Sequence, residues 1–160
     1  MDRQIALVLL GEATQQARFV LAGARLLEHA DAAPEGQDAE IAWFAIQGIL
    51  VAAANVHKLL WSGQRNSAYE REAAERLPLR EALGITEDSC LREKHVRNSI
   101  EHFDERIIQW GKGPRHYRSF VIYDADTGIV NFGRHTASIP GLVTECDHII
   151  SHALIAEWRL

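Results

Sequence analysis

The chain has 160 residues, 47% of them hydrophobic and 24% charged, which is enough to bury the core of one domain and excludes a disordered or low-complexity protein. Its formal net charge of -5 and pI near 5.9 exclude a long basic footprint on nucleic acid, so any such contact is local. Two cysteines, Cys90 and Cys146, lie far apart with no metal-ligand spacing, and both are expected to be reduced in a cytoplasmic protein.

From about Arg3 to His29, apolar residues recur at helical spacing: Leu7, Leu10, Ala17, Val20, Leu21, Ala24 and Leu27. The run from Ile5 to Leu10 is too short to span a membrane, and polar Glu12, Gln15 and Gln16 come directly after it. Neither a signal peptide nor membrane association is therefore expected. After a break over residues 32–36, a second helix is expected from about Asp38 to Trp61. It is apolar around much of its circumference and is expected to be the central helix of a bundle. A more polar third helix extends from about Ser67 to Leu83, open to interruption at Pro78 and stopped by Gly84. Thr86 to Ser89 is rich in N-cap residues and opens a fourth helix, about Ser89 to Trp110, which Gly111-Lys112-Gly113-Pro114 ends.

The character then changes. Tyr117 to Tyr123 and Ile129 to Phe132 read as two strands around turn residues 124–128, a β-hairpin within 114–134. A last helix is expected over 140–158, with Pro140 in its first turn. The fold class is mainly α: a single domain whose residues 1–110 form a four-to-five-helix bundle, with a β-hairpin appended before the C-terminal helix.

The chemistry concentrates in the fourth helix, in Arg97-Asn98-Ser99-Ile100-Glu101-His102. A fixed cation can neutralise a phosphate, and a histidine can move protons near neutral pH, which is what metal-free phosphodiester cleavage needs. Val96, Ile100, Phe103, Ile107 and Trp110 form the core stripe of that helix. His95, Asn98, His102, Glu105 and Arg106 form a polar stripe on the opposite flank. Arg97 stands about 140° around the helix from His102, so one helix does not aim both at a single phosphate unless Arg97 reaches around, the first turn is distorted or a second copy supplies part of the site; a twofold dimer is the simplest of these. Spacing alone favours a plainer reading, with Arg97 and Glu101 as a surface i,i+4 ion pair and His95 and His102 as exposed polar residues.

Arg97, Asn98 and His102, with four residues between the arginine and the histidine, match the signature of the HEPN superfamily of helical-bundle proteins. The stretch 91–106 and the upstream stretch Ala54 to Trp61 resemble a group of bacterial proteins of this type, and the resemblance covers roughly residues 1–110. It implies a homodimer whose motifs meet at the interface and, in active members, metal-independent endoribonuclease activity without a cofactor, often as toxins with an antitoxin partner or as defence components. RNA is then the substrate. His102 would be the acid–base group, Arg97 would stabilise phosphoryl charge, and Asn98 would orient the imidazole or donate to phosphate. His95, Glu101 and Arg106 are candidates for contacts to the substrate.

Two other readings stand beside this one. His148 and His152 are i,i+4 on the last helix, flanked by Glu145 and Asp147, and with His57 on the second helix they suggest a metal-binding bundle. The default expectation for that histidine pair is solvent exposure, with no metal. The third reading is a non-catalytic dimerisation or partner-binding module.

Overall fold

The fold is that of a computed structural model, which describes residues 1–32, 38–62, 67–92, 121–132 and 135–160. It is mainly helical: α1 (Arg3–Asp31), α2 (Ala39–Leu60), α3 (Ser67–Glu75), α4 (Leu77–Leu83) and α5 (Ile139–Arg159), with three short strands before α5. The expected fourth helix is represented in the described residues by a single 3-10 turn, Cys90–Arg92; its remainder lies outside them.

The pairing of α1 with α2 builds the core. Asp2 caps α1 by accepting hydrogen bonds from the amides of Gln4 (2.8 Å) and Ile5 (3.3 Å). Leu10, Ala13, Ala17, Val20, Ala24 and Leu27 then form its buried stripe. Small residues let α2 come close, and at Gly23 a Cβ would stand 2.7 Å from the Ile49 side chain. Gln16 meets Asn55 at 3.2 Å while Gly23 meets Ile49, so the two helices run antiparallel. Both are long and apolar enough to cross a membrane by length and composition, a test that core helices of water-soluble proteins also pass.

The apolar circumference of α2 is not all buried. Ala45, Ile46, Ile49, Leu50, Ala53, Val56 and Leu60 are buried, but Ile41, Phe44 and Val51 are exposed. Among the described residues the partners of α2 pack on one side of it, so its apolar circumference is only partly covered by them.

The chain breaks between α3 and α4 at Arg76, two residues before Pro78, whose ring suits the first turn of the new helix. Gly84 ends α4 in the left-handed region (φ 72°), with its own amide bonded to Glu81 and that of Ile85 bonded to Arg80. The expected hairpin is a three-stranded antiparallel meander: β1 (Val121–Asp124), β2 (Ile129–Phe132) and β3 (His135–Ser138), in that order. Residues 117–120 of the expected first strand lie outside the described set. The third strand was not foreseen, because His-Thr-Ala-Ser carries no alternating apolar signal; of its residues only Ala137 is buried. Val130 and Ala137, which pair across β2 and β3, turn into the core. Tyr123 donates to Asp31 at 2.8 Å and ties the sheet to the end of α1. Ser138 caps α5, whose Leu142, Cys146 and Ile149 complete the core against α1 and α4.

Candidate functional site

Arg97, Asn98 and His102, and with them His95, Glu101 and Arg106, lie outside the described residues. What the fold describes is the junction from which that stretch of chain departs, and it is tightly built. The 3-10 turn Cys90–Arg92 is gripped from three sides. From α5, Glu145 accepts a hydrogen bond from the Cys90 amide (2.7 Å) and another from the Ser89 hydroxyl. From α2, Nδ1 of His57 lies 3.1 Å from the Leu91 carbonyl oxygen. A carbonyl only accepts, so that nitrogen carries the proton. From the preceding loop, Glu87 pairs with Arg92 at 3.2 Å.

Beneath the turn sits an aromatic and cationic layer. The His57 ring stacks on Trp61 (centroids 5.4 Å apart) and on Tyr69 (6.2 Å). The Arg80 guanidinium lies 5.4 Å from the Trp61 ring centroid. Arg80 is only 4% exposed. It donates to the carbonyls of Leu60 and Ala73, both at 2.8 Å, and to Glu87 at 2.9 Å. Arg76, one turn earlier, donates to the carbonyls of Lys58 and Leu59. Two arginines thus satisfy the last-turn carbonyls of α2, where unpaired acceptors and the negative end of the helix dipole both favour cations. This seal was not anticipated, although its signal is in the sequence. Arg76 and Arg80, at i,i+4, follow a helix with no acid or base over residues 41–56.

The histidines of the metal reading do not converge. His57 is sealed in the core. His148 Nε2 donates to Leu83 O at 2.9 Å and His152 Nδ1 to His148 O at 2.9 Å, and the two rings stack with centroids 3.9 Å apart. They are half-buried rather than solvent-exposed, because α5 rests this face on the end of α4. Both oxygens of Glu145 are engaged by the turn. Among the described residues no group of three or more His, Cys, Asp or Glu is placed to hold a metal ion.

Cys90 and Cys146 are free thiols. Burial, with Glu145 nearby, pushes the Cys90 thiol up to about 12. Burial first, then Cys90 and Glu145, does the same for Cys146, also to about 12. Neither is a nucleophile at neutral pH.

No protein-family model, no curated protein and no solved structure matches this chain.

Proposed function

We propose that this protein is a metal-independent endoribonuclease of the HEPN type, acting on single-stranded RNA as a homodimer. The observation that carries the reading is the Arg97-Asn98-x3-His102 hexapeptide in a chain whose fold class is mainly helical, with a small sheet before the last helix. In this scheme His102 takes the proton from a ribose 2′-hydroxyl as the oxygen attacks the adjacent phosphorus. The bond to the 5′ oxygen breaks, that oxygen receives a proton, and a 2′,3′-cyclic phosphate and a 5′-hydroxyl result. Arg97 stabilises the charge on the phosphoryl oxygens, and Asn98, one turn from His102, orients the imidazole. Single-stranded RNA suits this chemistry because its backbone can bend into attack geometry. A role as a toxin held by an antitoxin, or as a defence component, rests on the same resemblance.

The test is cleavage of mixed single-stranded RNAs by purified protein in EDTA, with wild type beside His102→Ala and Arg97→Ala. Cutting that both substitutions abolish, with folding and oligomeric state retained, supports the reading. Cutting that survives both sinks it.

A second reading, a non-catalytic partner-binding module, is favoured by large apolar side chains left in water: Phe44 is 70% exposed, Leu154 74% and Trp158 92%. It predicts that Arg97 and His102 substitutions alter stability or assembly and no reaction rate.

A further inference from the structure

The turn Cys90–Arg92 is held more firmly than its length requires. A single 3-10 turn needs only a local cap, and Ser89 provides one by accepting from the Leu91 amide at 3.2 Å. Leu91 is 2% exposed, so its side chain already pins the turn to the core. Apolar burial carries no direction, however; it fixes where a turn sits and leaves open which way round it faces. Hydrogen bonds are directional, and two helices distant in sequence supply them here. Glu145 on α5 takes the Cys90 amide on one oxygen and the Ser89 hydroxyl on the other. His57 on α2 donates to the Leu91 carbonyl. Leu91 is thereby held at its amide, through Ser89, and at its carbonyl, through His57.

Burying these two groups has a desolvation cost that a plain core would avoid. His57 is 1% exposed and Glu145 is half-buried. A phenylalanine would fill the stack with Trp61 and Tyr69 and bring no polar group to desolvate. Neither side chain is placed to meet a substrate. The His57 ring is enclosed with its Nδ1 proton committed to Leu91, and both oxygens of Glu145 are committed to the turn. What comes next in the chain accounts for the arrangement. Arg97 follows five residues after Arg92, and His102 five after that. On the helix expected there each residue advances about 100°, so an entry slipped by one residue would present both side chains to a different side.

We propose that His57 and Glu145 are positioning residues for the RNA chemistry. They lock the orientation of the turn, and through it the direction in which the chain enters the stretch that bears Arg97 and His102. The inference rests on the ribonuclease reading and adds to it two residues, on other helices, that do not touch RNA. Misplacing a reacting group by about 1 Å lowers a rate by a factor of about 100. The loss of a clamp bond is therefore expected in kcat, and not in the binding that KM reports.

The experiment is steady-state cleavage of fluorescently labelled single-stranded RNA in EDTA, at a temperature where circular dichroism shows each variant folded. His57→Phe keeps the ring stack and removes the donor. It is expected to lower kcat about 10- to 100-fold with KM within about twofold of wild type. His57→Asn is expected to restore most of that loss, because its amide N–H can donate where Nδ1–H did. Glu145→Gln still accepts from the Cys90 amide but sets an NH2 group against the Ser89 hydroxyl, so a smaller fall in kcat is expected. Tyr123→Phe removes a comparable bond, between the sheet and α1, and is the control expected to cut at the wild-type rate. Losses of kcat confined to the clamp variants support the proposal. Clamp variants that cut like wild type, or that change KM alone, overturn it and leave the ribonuclease reading standing. An equal loss in Tyr123→Phe also overturns it, since the effect is then one of general stability. If His57→Phe fails to fold, Glu145→Gln decides by the same criteria. A wild type that cuts no RNA sinks the ribonuclease reading and this assignment with it.

Discussion

Two regions around α2 depart from the rule of apolar inside and polar outside, in opposite directions. At its C-terminal end, Arg80 is buried under Trp61; along its outward face, Phe44 and Val51 stand in water. The buried arginine is explained within the chain. The two carbonyls it meets would otherwise be stranded and the Glu87 carboxylate supplies the counter-charge, so the cost of desolvating the cation is offset by these hydrogen bonds. The exposed apolar face has no such account among the described residues. A polar group inside can be checked partner by partner, whereas an apolar group outside points to something beyond the described residues.

The sharpest way to break the first half of this comparison is Arg80→Met. The substitution keeps much of the apolar stem but strands the carbonyls of Leu60 and Ala73 and leaves Glu87 without its buried partner. Urea unfolding is expected to show a loss of about 3–5 kcal/mol. Arg80→Lys should recover little of it, because one ammonium cannot reproduce the fork that reaches two carbonyls and a carboxylate. A loss below about 1 kcal/mol, the size of a surface ion pair, would mean that the seal contributes nothing beyond surface electrostatics.

Two glycines sharpen the second half. Gly23→Ala forces a methyl into the Ile49 side chain and should cost about 1–3 kcal/mol. Gly48→Ala adds the same methyl in open space, so at concentrations where the chain is monomeric it should stabilise by up to about 1 kcal/mol through helix propensity. Thermal unfolding of both variants at low and high concentration separates the cases. Equal effects of opposite sign from those expected would show that the inward and outward faces of the α1–α2 pair have been confused.

The pattern of what was legible divides in the same way. Helix positions and the boundaries at Gly84 and Pro140 could be read because breakers and first-turn residues act locally. The burial of α2 could not, since a helix apolar on all sides looks the same whether its second face is covered by its own chain or by a neighbour. β3 was missed for want of alternation, as tertiary packing and not residue preference holds His135–Ser138 in the sheet. Of the site, the hexapeptide was conspicuous in the sequence and lies outside the described residues. The junction behind it was invisible, because Arg80, His57 and Glu145 take their roles from contacts across long stretches of chain.

The thiols give the gentlest probe of the same contrast. Gly48→Cys places a thiol in open space, and it should react with iodoacetamide at pH 8 about as fast as a free thiol when the protein is dilute. Cys146 is fully buried, and both native thiols ionise in the folded protein only near 12. They should therefore remain unmodified under the same conditions until the chain unfolds. The linkage has a definite sign. Unfolded thiols ionise near 9 and folded ones near 12, so the native state keeps its full stability below pH 9 and loses it progressively as pH rises through 12. Cys146→Ala should flatten that alkaline limb. Glu145→Gln should flatten it less, since the carboxylate ranks below burial as a cause for both thiols. An alkaline limb unchanged in Cys146→Ala would show that the thiol beneath Glu145 is not sealed, and that the junction is as open to solvent as the face of α2.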